Sequence, residues 1–337
     1  MLPFDDEYTI IDVQSSFNTN QIIMISQLTS LDERAGTDLT GENNLDNVLE
    51  RAGLNYNVEK VPMHTPEGGV VQDKYLLRRE DNKFILGTCG KRYHVVDNDR
   101  MFEPFHSIVE GCDATYESAG MVAHGKANWV SARLGNEFEV RDDKFQRRVI
   151  MLVYHNGMQR NSYFTYNHRV ICNNMMSSLN TASRKHGIGV KHTPTWEDSL
   201  QLAGEAFAES ISDSNKFQSS MAKLAGAKMT SKQAETFSKR FFLDFKTPEK
   251  NKKKEEVSQR SKTRLKNRVD ELVSLFEEGM GNEGKTRYDM FNAVTEYLDH
   301  HSVKKNANTG KRFLSNLSGM QANKKRRVMK ELLPQAA

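Results

Sequence analysis

RRVIMLVYHNGMQRNSYFTYNHRVICNNMMSSLNTASRKHGIGVKH, residues 147–192, is the stretch whose reading decides the fold. Val149 to Tyr154 is an apolar, β-branched run with the length of a buried strand. His155-Asn156-Gly157-Met158 follows. Asn-Gly there predicts a tight type I′ hairpin, because both central residues of that turn need positive φ. The return strand, Gln159 to Tyr166, alternates polar with aromatic residues. The period then changes: Val170, Ile171, Asn174, Met175, Ser178, Leu179 and Ala182 recur at helical spacing, predicting a helix to about Ser183. Gly187 and Gly189 stand where a terminator belongs, after a basic last turn of Arg184, Lys185 and His186. The expected unit is a strand, a tight turn, a strand and a helix packed on them.

Upstream, residues 54–193 read as one α+β core domain. Asn57 to Val61 is a strand candidate, and Pro66-Glu67-Gly68-Gly69 is a turn. Lys74–Arg79 and Lys83–Gly87 flank Glu80-Asp81-Asn82 in a hairpin pattern. A helix from Asp99 to Glu110, capped by Asn98 or Asp99, carries Met101, Phe102, Phe105 and Val109 on one face. Ala114–Ala119, Lys126–Leu134 and Phe138–Val140 are further strands of an antiparallel sheet, with Trp129 a core residue of the central one. Residues 1–53 lack sustained periodicity and read as an acidic, partly flexible arm.

Downstream, residues 194–337 form a helical, basic region. Thr195 caps a helix, a second covers about Ser214 to Ala225, and Thr230 or Ser231 caps a third. Arg264–Glu278 and Tyr288–Asp299 are helical in period. Lys250 to Arg268 and Lys324-Lys325-Arg326-Arg327 are dense in cations.

Composition narrows the class. The 337 residues suffice for a sizeable core, and a mean hydropathy of −0.68 fits a soluble protein. No apolar run approaches the roughly 18 residues of a membrane span, and Asp5, Asp6 and Glu7 are unlike a secretory signal. A cytoplasmic protein is expected, in the host cell if the gene is a phage's, with no membrane partner. Cys89, Cys112 and Cys172 are too few and too scattered for a disulfide framework. Residues 1–60 hold eleven acidic against three basic side chains, a net of −8; the chain is +4, so the remainder carries +12. A basic body with an acidic leader suits a polyanion binder whose arm shields the site or recruits a protein partner.

Tyr75-Leu76-Leu77-Arg78-Arg79, Leu86-Gly87, Lys91 to Val96, Gly120 to Ala132, Arg169-Val170-Ile171-Cys172-Asn173-Asn174 and Asn292 to His300 together carry a resemblance. The chain resembles, over about residues 70–320, the phage and plasmid proteins grouped as domain of unknown function 932. Arg-Val-x-Cys-x-Asn and Asn-Ala-x-Thr-Glu-Tyr are the most specific parts. That family has no established activity to carry over. More remotely, the strand–hairpin–helix core resembles single-strand annealing recombinases, which bind DNA without base specificity in a groove around an oligomeric ring; this likeness is one of architecture alone.

Annealing needs a groove that neutralises phosphates and leaves bases free, sometimes with aromatic platforms. Arg147, Arg148, Arg160, Arg169, Lys185 and Lys191 surround the central hairpin, with Tyr163 and Tyr166 between them. Lys74, Arg78, Arg79, Lys91 and Arg92 form a second cluster. The bland alternative is that these are strand-edge charges and packing aromatics. A metal site is disfavoured: Asn156 already serves the turn, and no thiol has ligand spacing with His155, His168, His186 or His192. GxxxxGK[ST] and GxSxG are absent, which argues against an ATPase and marks no catalytic serine. The expected function is non-enzymatic, sequence-independent binding and annealing of single-stranded DNA in phage or mobile-element recombination, by a homo-oligomer without cofactor or metal. The alternatives are a metal-dependent nucleic-acid enzyme and a phage assembly or host-takeover protein.

Overall fold

The computed structural model describes residues 35–135, 137–170, 174–177, 189, 190, 192, 195–212, 215–244, 259–302 and 308–334. The fold is α+β and its sheets are antiparallel. The main sheet runs β1 (Thr37–Asp38), β5 (Thr115–Val122), β6 (Ala127–Arg133), β8 (Asp143–Tyr154), β9 (Asn161–Arg169), β10 (Asn174–Ser177). Two short strands join it: β7 (Phe138–Val140) pairs with β8, and β11 (Gly189–Val190) with β9. A second sheet holds β2 (Val58–His64), β3 (Val70–Arg79) and β4 (Ile85–Gly90), including the hairpin expected around Glu80-Asp81-Asn82.

β8 is apolar without a break because both faces of the main sheet are covered. Side chains alternate across a strand. Val149, Met151 and Val153 therefore enter a core shared with α1 (Leu45–Arg51), α2 (Asn98–Gly111), the small sheet and α3 (Trp196–Ser212). Ile150, Leu152 and Tyr154 enter another with Trp129, Phe313 and Leu317, the last two on α8 (Thr309–Leu317). A third core joins Phe138, Val140 and Phe145 of the sheet to α4 (Asn215–Gly226), α5 (Ser231–Asp244), α6 (Gln259–Glu278), α7 (Arg287–Glu296) and α9 (Met320–Leu332). All three cores thus contain residues from both sides of position 194. Residues 35–53 also pack: Val48 and Leu49 are buried and β1 pairs with β5.

Two local expectations are corrected. The connection after β8 spans His155 to Arg160 and is not a type I′ turn: Gly157 has φ +74 but Asn156 lacks a positive φ. The Asn156 side chain takes over the turn, its Oδ1 accepting from Met158 N at 2.9 Å and Gln159 N at 3.1 Å, so β9 starts only at Asn161 and pairs with β8 from Ser162, opposite Leu152. The helix expected from Val170 to Ser183 is, at 174–177, strand β10, with Asn174 opposite Arg169 and Ser177 opposite Tyr166. Pairing there satisfies backbone groups of β9 that its other neighbour leaves open, which outweighs a weak helical period. The remainder of that predicted helix lies outside the described residues, apart from Val170, which is exposed.

Asp97, one residue earlier than expected, is the N-cap of α2. Helix α6 begins five residues before the predicted Arg264, and Tyr297–His301 continues α7 as a π-helical turn. Among the described residues no helix is long and apolar enough to cross a membrane.

Candidate nucleic-acid interface

The hairpin cations divide by burial. Arg148, 2% exposed, meets Glu117 of β5, with Nη2 donating to Oε1 at 2.7 Å and Nε 2.5 Å from Oε2. Arg169 is wholly buried: Nη2 donates to Asp143 Oδ2 at 2.6 Å, and Nη1 to the Met280 carbonyl at 2.9 Å. Tyr163 and Tyr166 are buried on opposite faces of β9, one in the α2 core and the other beside Trp129 and Phe313. Burial pushes the Tyr163 phenol far above its ordinary range. The expectation that Arg148, Arg169, Tyr163 and Tyr166 line an open groove is therefore corrected. In β8 and β9 these side chains fall on faces that helices and neighbouring strands cover.

Arg147 is half-buried with its guanidinium 4.9 Å from the Phe138 ring centroid, and burial lowers its pKa. Arg160, in the loop, is exposed. In the second cluster Arg79 is buried, bonded to Asp81 and stacked 3.7 Å over Tyr56. Arg78 pairs with Glu59 at 2.7 Å. Lys74, Lys91 and Arg92 stay exposed near the end of β4, where Lys74 pairs with Gly90. The Arg160 loop packs on the same strand through Gly157, whose added Cβ would lie 2.2 Å from the Thr88 carbonyl oxygen. Lys185 and Lys191 lie outside the described residues.

Among the described residues, α6 carries a dense exposed cationic stretch. From Gln259 to Val269 the helix carries Arg260, Lys262, Arg264, Lys266 and Arg268, all exposed, and no acidic residue. Its buried face, Val269, Leu272 and Phe276, starts only beyond them. Arg260–Arg264, Lys262–Lys266 and Arg264–Arg268 are like-charge pairs at i,i+4, each unfavourable by about 0.2–0.5 kcal/mol. Cations in the first turn also oppose the helix dipole. Local helix energetics alone therefore give no reason for the arrangement. Arg268 is held in place by its Nε bond to Tyr297 Oη at 3.0 Å and by Phe242, 4.5 Å beneath the guanidinium. Lys324 of α9 lies near it: burial, then the charge of Arg268, pull the Lys324 ammonium below its usual range. Arg268 and Lys324, far apart in sequence, are thus neighbours in space.

The sequence profile of a family described as a domain of unknown function (DUF932) matches residues 85–323. The chain belongs to this family. No curated protein and no solved structure matches it. The DUF932 region runs from β4 into α9, so it contains all of α6 and stops one residue before Lys324.

Within the DUF932 region the two most specific motif segments meet. Arg169 ends β9, and Tyr288, whose Oη donates to Asp143 Oδ2 at 2.7 Å, sits on α7 beneath the Arg169 guanidinium. Glu296, one turn beyond Asn292, is buried; burial raises its carboxyl pKa, opposed by the charges of His301 and Arg169. Asp299 and Lys325, both buried, pair at 2.5 Å. The Arg169 contacts join sheet to helices, and the Asp299–Lys325 pair joins two helical segments. Sequence reasoning missed this joint because Asp143 and Tyr288 belong to no motif.

Of the histidines weighed as ligands, His155, His168 and His192 are buried, and His186 lies outside the described residues. His155 Nε2 is 2.8 Å from Asn98 Oδ1, and burial, with His192 nearby, pushes its pKa down to about 3. His192 stacks on Tyr93 at 4.7 Å, and burial lowers it to about 4. Among the described residues no group of three or more His, Cys, Asp or Glu side chains is placed to hold a metal ion.

Proposed function

We propose that this DUF932 protein binds single-stranded nucleic acid without reading its sequence, and anneals complementary strands, as phage or mobile-element recombination requires. The observation that carries the reading is the exposed, acid-free first half of α6, with Arg260, Arg264 and Arg268 in one row and Lys262 and Lys266 in another, next to Lys324. A phosphate backbone relieves the repulsion within such a row and gains entropy by releasing its own counterions. Arg260, Arg264 and Arg268 share one face of the helix and Lys262 with Lys266 the opposite one; such side chains offer no fixed donor–acceptor pattern to bases once they point away, so binding is indifferent to sequence. Arg160, Lys74, Lys91 and Arg92 form a second exposed cluster that can contact the same polyanion.

The test replaces Arg260, Lys262, Arg264 and Lys266 together with Gln, leaving the anchored Arg268 in place. Affinity for a mixed-sequence oligonucleotide should fall, and the slope of log affinity against log salt should shrink by about 0.7 for each phosphate that is no longer neutralised. Annealing of complementary strands should fall in parallel, and thermal stability should hold or rise as like-charge pairs disappear. A folded variant that binds and anneals like the parent sinks this assignment.

A further inference from the structure

Helices α2 and α3 pack together and leave a cleft of about 580 Å³ between them. Small-molecule sites typically fall at about 300–1,000 Å³. Its floor is apolar: Pro104, Ile108, Trp196 and Leu200, the last three buried. At Gly204 the two helices are close: a Cβ there would stand in ordinary contact with Ile108 Cδ1, at 3.7 Å.

The rim has the opposite chemistry. Glu103, Glu197 and Glu205 line it and are exposed, while Arg100 is the lone cation among the described lining residues. Arg100 is engaged by Glu103 at 3.0 Å and Glu197 at 3.1 Å, bridging the two helices. Among the described residues, the bond that Glu205 accepts is uncharged, from Gln201 Nε2 at 3.1 Å. Three carboxylates against one guanidinium leave the rim at −2. That excess disfavours phosphates and carboxylates, and the aromatic and aliphatic floor offers nothing to a fully polar polyamine.

We propose that this cleft binds a small hydrophobic organic cation, an aryl- or alkylamine. Its apolar body lies on Trp196, Leu200, Ile108 and Pro104, and its ammonium sits among Glu103 and Glu205. The site is independent of the α6 surface, since its charge repels the polyanion proposed there.

The test titrates 4-phenylbutylamine, 4-phenylbutan-1-ol and 4-phenylbutyrate into the full chain at low ionic strength, read by calorimetry and tryptophan fluorescence. One amine should bind per chain, about tenfold tighter than the alcohol, the difference of one ion pair worth roughly 1.4 kcal/mol; the butyrate should be weakest. Glu103→Gln with Glu205→Gln should bring the amine to the level of the alcohol and leave the alcohol unchanged. Gly111→Phe should block both, because a Cβ at Gly111 meets nothing within 4 Å and the ring has the cleft to occupy. Should Gly111→Phe misfold, the two exposed-carboxylate replacements still decide. No saturable amine binding, equal affinity for amine and butyrate, or an amine affinity unmoved by the Gln pair overturns the proposal.

Discussion

Arg169 Nη2 and Asp143 Oδ2, at facing ends of β9 and β8, stand 2.6 Å apart with side chains 0% and 8% exposed. The pair is closed off by Tyr288 from α7 and by the Met280 and Gly281 carbonyls, so one arginine ties the sheet to the helical region. Removing one partner of such a buried pair leaves an uncompensated charge, which costs about 3–5 kcal/mol.

Asp143→Ala should therefore lower urea stability by about 3–5 kcal/mol, while its effect on oligonucleotide affinity under folding conditions stays small. A stable Asp143→Ala protein that has lost binding would instead place Arg169 at the nucleic-acid contact.

Phe313 is fully buried on α8 and its ring lies 4.6 Å from that of Trp129. Phe313→Ala should cost about 3–5 kcal/mol by opening a cavity under the main sheet. Because the cores join sheet and helices, fluorescence and circular dichroism should report one transition at a common urea midpoint. Separate midpoints would show that the helical region unfolds by itself.

Gly157→Ala should destabilise through two effects. The position has φ +74, which a Cβ tolerates poorly, and the added carbon would lie 2.2 Å from the Thr88 carbonyl. A loss above about 1 kcal/mol is expected, since the left-handed conformation alone costs about 1–2 kcal/mol. An unchanged urea midpoint would mean that the loop yields without cost.

His155 and His192 predict an acid-side loss of stability. Their folded pKa values, about 3 and about 4, lie below the ordinary value of 6.5, so the folded chain binds fewer protons than the unfolded one in that window. Their contribution is complete above pH 6.5 and is lost as the pH falls toward 4. His94, Tyr56 and Asn98 border the pair, and no carboxylate among the described neighbours shifts it. His155→Gln should flatten stability between pH 7 and pH 4.5 relative to the parent in urea titrations. Parallel curves would remove the histidine as the cause.

Much of the fold was legible in residue order because burial imposes a period. Val149 to Tyr154 had to be a strand covered on both faces, Lys74 to Gly87 a hairpin, and Met101, Phe102, Phe105 and Val109 one face of a helix; each pattern records which side of an element meets the core. The stretch 170–183 was misread since a period of a few residues is weak, and the need to pair the open edge of β9 is a property of the sheet. Charge has no period at all. Arg148 and Arg160 look alike in sequence, yet the register of β8 brings the first to Glu117, 31 residues away, and leaves the second in a loop facing solvent. Sequence alone determined that the chain is α+β, with a basic body and cation-rich runs at Lys250–Arg268 and Lys324–Arg327. Only the tertiary structure decided which cations are enclosed by carboxylates and which remain on the surface. An ion pair forms between groups close in space, and residue order does not encode that distance until the sheet register and helix packing are set.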